Sequence, residues 1–185
     1  MRTFKYFSLI ALSLTVLWSC SDDDDAAPPP VNEEEVITTV IVTFIDGTNN
    51  SVIATYTDLD GDGPGEAVTV VQGTLEAGTA YTGSVRFLNA TEDPPEDITL
   101  EVEEEDDEHQ VFFLPAGSLN VNFDYDNFDG NDNPLGTAFT ATAVSASTGN
   151  LRIVLRHEPN KPNDGTLADA GGETDIDVTF EIEVE

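Results

Sequence analysis

Asp175-Ile-Asp-Val-Thr-Phe-Glu-Ile-Glu-Val184 alternates without a slip, with Ile176, Val178, Phe180, Ile182 and Val184 on one parity and mostly acids on the other. A period of two belongs to a strand with one face buried and one face in water. Such a strand needs a second layer to cover its apolar face, so this stretch predicts packed sheets.

The rest of the chain repeats the pattern. Residues 36–45 (Val-Ile-Thr-Thr-Val-Ile-Val-Thr-Phe-Ile) are almost all β-branched, and Asp46-Gly-Thr-Asn-Asn50 is turn chemistry leading to a second strand at 51–57, which predicts a hairpin. Residues 67–75 and 79–88, separated by Glu76-Ala-Gly78, read as a second hairpin. Further strands are expected at 111–114, 119–125, 137–144, 150–157 and 175–184. About eight or nine short strands between turn signals predict an all-β fold, an antiparallel β-sandwich of the Ig-like kind. One segment differs: after Asp93-Pro-Pro-Glu-Asp97, residues 97–108 place Ile98 and Val102 at helical spacing, and a short helix is expected there. Its last turn carries Glu103 to Glu108, six consecutive acids. Negative charge at a helix C-terminus opposes the macrodipole, so that turn favours a nearby cation.

The start of the chain is organised differently. Arg2 and Lys5 precede an apolar run from Phe7 to Trp18 that is too short to span a bilayer comfortably, and acid and proline follow it. Residues 1–19 therefore read as a signal peptide. The only cysteine of the chain, Cys20, follows directly. Leu17-Trp-Ser-Cys20 resembles the lipobox of bacterial lipoproteins, which implies that Cys20 is acylated and becomes the mature N-terminus. An odd cysteine in an exported chain is explained this way, and several acyl chains anchor firmly where a single one does not. Ser21 followed by Asp22 to Asp25 resembles the acidic export signal of Bacteroidota surface lipoproteins, the alternative being a solvated spacer that like-charge repulsion holds off an anionic lipid surface. Residues 20–35, with Pro28-Pro-Pro30, make an acidic, stiff tether, and 36–185 the folded domain. The expected location is the outer membrane, lipid-anchored and facing the cell exterior.

All 37 acidic residues lie after Cys20, against Arg86, Arg152, Arg156 and Lys161 as the only basic ones there, and the formal net charge of the whole chain is −31. Such a surface repels nucleic acid and suits cations or a basic partner. No phosphate-binding glycine loop, nucleophile elbow or HExxH is present, so a non-catalytic module is expected.

Two places carry metal-ligand chemistry. His109 and His157 are the only histidines. Imidazole with carboxylate suits zinc or copper, and Glu105 and His109, four residues apart, would share a helical face. The pair could also serve as axial haem ligands. The alternative is that each histidine bonds locally, His109 being held protonated by its acidic neighbours. The second place is Asp58-Leu-Asp-Gly-Asp-Gly-Pro-Gly-Glu66. There Asp58, Asp60 and Asp62 have the spacing of a calcium loop, closed by Glu66, although Thr69 stands where an EF-hand places its glutamate. The alternative there is a polar turn.

Residues 58–64, 74–89, 103–113 and 152–160 of the mature chain resemble a group of small acidic flavobacterial surface lipoproteins commonly labelled type 1 periplasmic binding fold superfamily protein. That resemblance implies ligand binding at the cell envelope. Its fold term demands repeated βαβ units, and the expected strands with one helix supply none. The combined expectation is a lipoprotein that captures a metal ion or metal complex, with a TonB-type outer-membrane receptor as partner. The alternative is a structural or adhesive surface module stabilised by calcium.

Overall fold

β-branched and aromatic residues at alternate positions fold here into ten strands and two short helices among the described residues. The computed structural model describes residues 35–61 and 63–185. The leader, Cys20, the tether up to residue 34 and Asp62 lie outside them. Among the described residues no helix is long and apolar enough to cross a membrane.

The strands are β1 (Thr39–Ile45), β2 (Ser51–Thr57), β3 (Val68–Gln72), β4 (Thr79–Asn89), β5 (Glu96–Asp97), β6 (His109–Gly117), β7 (Val121–Tyr125), β8 (Ala138–Ala143), β9 (Ser147–His157) and β10 (Glu173–Val184). The helices are α1 (Thr99–Glu104) and α2 (Leu167–Ala170). One sheet runs β3-β2-β1-β4-β8-β7, with β5 pairing β4; the other runs β10-β9-β6, and the strand pairs of both sheets are antiparallel. The fold is thus the expected all-β sandwich. Its sheets are unequal.

The core lies between the inward parities of the two sheets. Val40, Val42 and Phe44 on β1 and Val85 and Phe87 on β4 face Leu151, Ile153 and Leu155 on β9 and Val178, Phe180 and Ile182 on β10, all at most 2% exposed. Gly83 lies between Phe44 and Phe139 in register, and those rings meet edge to face with centroids 5.5 Å apart. A Cβ at Gly83 would overlap the Phe139 ring. The glycine is needed for that close approach.

Two expectations change. The segments 67–75 and 79–88 form strands, but β3 pairs β2 while β4 pairs β1 and β8, so they are not a hairpin. The connection leaves the first sheet instead. Leu75 donates its N–H to the Glu183 carbonyl and accepts from the Glu185 N–H, fastening it to the end of β10. Leu75 is also 1% exposed, and burying that side chain between the sheets outweighs local turn propensity. The second change is in the helix, which ends at Glu104 and leaves the acids 105–108 in a turn. Consecutive carboxylates at a helix C-terminus repel one another and the macrodipole, while His109 gains a strand partner. Helix α2, which the pattern did not predict, starts at an N-cap in which the Asp169 N–H bonds the Thr166 hydroxyl. It covers Phe112 and Val154 on the outer face of the smaller sheet.

Candidate metal centre

His109 opens β6 and His157 closes β9, and the two are direct partners in the register of that strand pair. Directly opposed residues project from the same face of a sheet. Their rings therefore stand side by side, with centroids 4.7 Å apart and planes tilted by 31°. Both are buried at the end of the core, His109 at 0% and His157 at 4% exposed.

The third group comes from a break in the alternation that decides the fold. Between Thr174 and Ile176 the β10–β9 register slips by one, so Asp175 is the extra residue of a β-bulge. By parity from Ile176 its side chain belongs on the outer face. The bulge turns it inward, to 1% exposure, with its carboxylate oxygens 3.8 Å from His109 Nε2 and 3.8 Å from His157 Nδ1. Ligating atoms of the three side chains all lie within 4.8 Å of one another.

The turn after α1 orients both rings from behind. His109 Nδ1 lies 3.2 Å from the Glu105 carbonyl oxygen. A carbonyl only accepts, so Nδ1 carries the proton, and in the neutral ring Nε2 keeps its lone pair. Burial pushes the His109 pKa down, against the bond to Glu105. The ring is thus held neutral by desolvation, in place of being held protonated by the acidic run. On the other ring, His157 Nε2 faces the Glu108 carboxylate at 3.7 Å. The resulting pattern has the outer nitrogens toward Glu105 and Glu108 and the inner nitrogens toward Asp175. Metal-bound histidines are typically oriented in this way, by an outer carbonyl or carboxylate.

The inner nitrogens, His109 Nε2 and His157 Nδ1, are buried and make no hydrogen bond among the described residues. A buried polar atom left so costs about 1–3 kcal/mol, which makes such atoms uncommon unless something else meets them. Zinc bonds of about 2.0–2.1 Å at tetrahedral angles put ligand atoms roughly 3.3 Å apart. The two 3.8 Å separations run to different oxygens of Asp175, and with one ligating atom from each side chain, all within 4.8 Å of one another, the group must draw in by up to about 1.5 Å to share one ion. The residues fit a transition metal ion held by two imidazoles and one carboxylate. They do not fit a haem, because rings 4.7 Å apart leave no room for a macrocycle between them.

Glu105 contributes differently from the helical pairing expected of it. Its carbonyl meets His109, while its carboxylate groups with Glu35 and His109. Glu35, placed by pattern in the tether, has its pKa raised to about 7, first by burial and then by Glu101, Asp175 and Glu105. On the far side Glu108 and Glu158 group with His157.

Of the calcium-loop residues, Asp58 and Asp60 border a concavity of about 600 Å³ that also reaches Glu35 and Asp175. The Asp60 carboxylate turns back to accept the Gly65 N–H at 2.9 Å, as in an ordinary polar turn. Asp58 Oδ2 accepts the Tyr56 hydroxyl at 3.3 Å. Glu66 is exposed, and Asp58, Asp60 and Glu66 form no common cluster among the described residues.

Asp175, Glu108 and Glu35 were not legible as site residues. Asp175 is disguised by the strand parity, and Glu108 and Glu35 sit among many like acids. Comparison with protein-family models, with curated proteins and with solved structures finds no significant match.

Proposed function

We propose that this chain is a non-catalytic, lipid-anchored protein of the outer cell surface that captures a transition metal ion, zinc or copper, at His109, His157 and Asp175. The observation that carries the reading is the pair of buried inner nitrogens, without hydrogen bonds among the described residues and both directed at one carboxylate. Two imidazoles and one carboxylate leave an ion one position for a guest, which suits capture and transfer. The lipobox-like Leu17 to Cys20 and the acid after it support surface anchoring, and a TonB-type receptor is the partner proposed to accept the ion. Calorimetric titration with zinc and copper tests the reading. Binding to the intact protein and none to the His109→Ala/His157→Ala double variant is expected, and equal heats from both would sink it.

The rival reading, calcium at Asp58, Asp60, Asp62 and Glu66 stabilising an Ig-like adhesive module, draws on one observation: Asp58 Oδ1 is buried and makes no hydrogen bond among the described residues. Chelation with a calcium-selective agent that left the melting temperature unchanged would remove it.

A further inference from the structure

The proposed triad is closed to solvent, so an ion needs a way in. His157 is the one of the two imidazoles whose nitrogens face a carboxylate on each side. Its Nδ1, buried and with no hydrogen bond among the described residues, faces Asp175 within the core, and its Nε2 faces Glu108 at 3.7 Å. His109 has no such second face, because its Nδ1 is held by the Glu105 carbonyl. Glu158 completes the outer group: ligating atoms of Glu108, His157 and Glu158 lie within 4.8 Å of one another. Both carboxylates are exposed, whereas the His157 side chain between them and the core is 5% exposed.

Local backbone geometry holds the two acids together. The Glu158 N–H donates to the Glu108 carbonyl at 2.7 Å, and Glu158 takes a φ of +47° directly after β9 ends. The acidic turn at the start of β6 and the turn at the end of β9 are thereby joined at the ring edge of His157. The opposite approach, through the concavity that reaches Glu35, ends on the Asp175 carboxylate, which is 1% exposed. On that side Glu35 and Glu105 group with a nitrogen of His109, the ring that is 0% exposed, so an ion would meet a fully buried imidazole there.

Resting on the metal-binding reading of the inner triad, we infer that Glu108 and Glu158 form the port through which a divalent transition metal ion enters, with His157 the side chain that passes it from surface to core. Exposed carboxylates strip few waters from a cation and exchange quickly, and a focused negative field raises the local cation concentration. The ion is first held by Glu108 and Glu158 at the outer edge of His157. It then moves inward as His157 Nδ1, His109 Nε2 and Asp175 replace those ligands. A port on the path speeds entry and exit alike.

Stopped-flow absorption with cobalt(II), whose visible bands report tetrahedral coordination, separates the possibilities on the intact protein. Glu158→Gln should slow loading, and release into excess chelator, by about tenfold. Glu181→Gln, which removes the same charge from an exposed position on β10, should stay within about twofold of the parent. Equal loading rates for Glu158→Gln and Glu181→Gln overturn the port, as does slow loading confined to Glu35→Gln. The absence of a cobalt spectrum in the parent protein overturns the inner triad, and the port with it.

Discussion

Asp175 shows how much one residue can carry. Its carboxylate approaches both imidazoles only because the strand gains a residue just before Ile176. Asp175→Asn keeps the shape and removes the charge, so zinc affinity should fall by at least about 100-fold while circular dichroism stays unchanged; retained affinity would exclude Asp175 as a ligand. The titration of the metal-free protein should carry two opposing signs. His109 has its pKa pushed below the ordinary 6.5, so the unfolded chain binds the extra proton and stability is lost as pH falls below that value. Glu35, raised from 4.5 to about 7, keeps its proton longer in the folded state, so it works against stability as pH rises through that range. Removing the second contribution with Glu35→Gln should make stability climb more steeply between pH 4.5 and about 7. Urea unfolding at a series of pH values checks this, and an unchanged slope would argue against the Glu35 shift.

At the scale of elements, the smaller sheet and the turn after α1 are tied by Lys161. Its ammonium donates to the Asp106 carbonyl at 2.6 Å and lies 3.4 Å from Asp129, with both side chains buried. Burial lowers the Lys161 pKa against the pull of Asp129. For Asp129, burial is outweighed by hydrogen bonds from Asn133 and Asn131 and by Lys161, which leave its pKa at about 2. Lys161→Met strips a buried carboxylate of its counter-charge and should destabilise the domain by about 3–5 kcal/mol in denaturant unfolding. It should also weaken zinc binding, since the turn bearing Glu105 and Glu108 loses its anchor. In the larger sheet, Gly83→Ala should cost about 1–3 kcal/mol, because the Phe139 ring cannot be displaced without disturbing Phe44. A cost near zero would mean that the aromatic cluster repacks freely. Most strands were legible as elements, because β-branched residues and alternation depend on local spacing. The partner of β3 was not, because Leu75 is drawn to the end of β10, far along the chain.

For the whole molecule, charge sets the terms. A chain with a net charge of −31 repels itself when compact, and added salt screens that repulsion over about 10 Å at 0.1 M. The melting temperature of the metal-free domain should rise with monovalent salt, and a fall would show that favourable ion pairs outweigh self-repulsion. Zinc should add to this by mass action, about 2.7 kcal/mol at 100 times its dissociation constant, and only when His109 and His157 are present.

The all-β class and the two-layer packing could be read from the chain alone. Both rest on residue type and on spacing between near neighbours, where sterics and burial act directly. That His109 lies opposite His157 was settled by the pairing of β6 with β9, between residues 48 positions apart. That Asp175 joins them was settled by a one-residue slip between β9 and β10. Alternation along a strand specifies which face each side chain takes, but not which strand lies alongside or where the register slips. Those follow from how the two sheets close over a shared core.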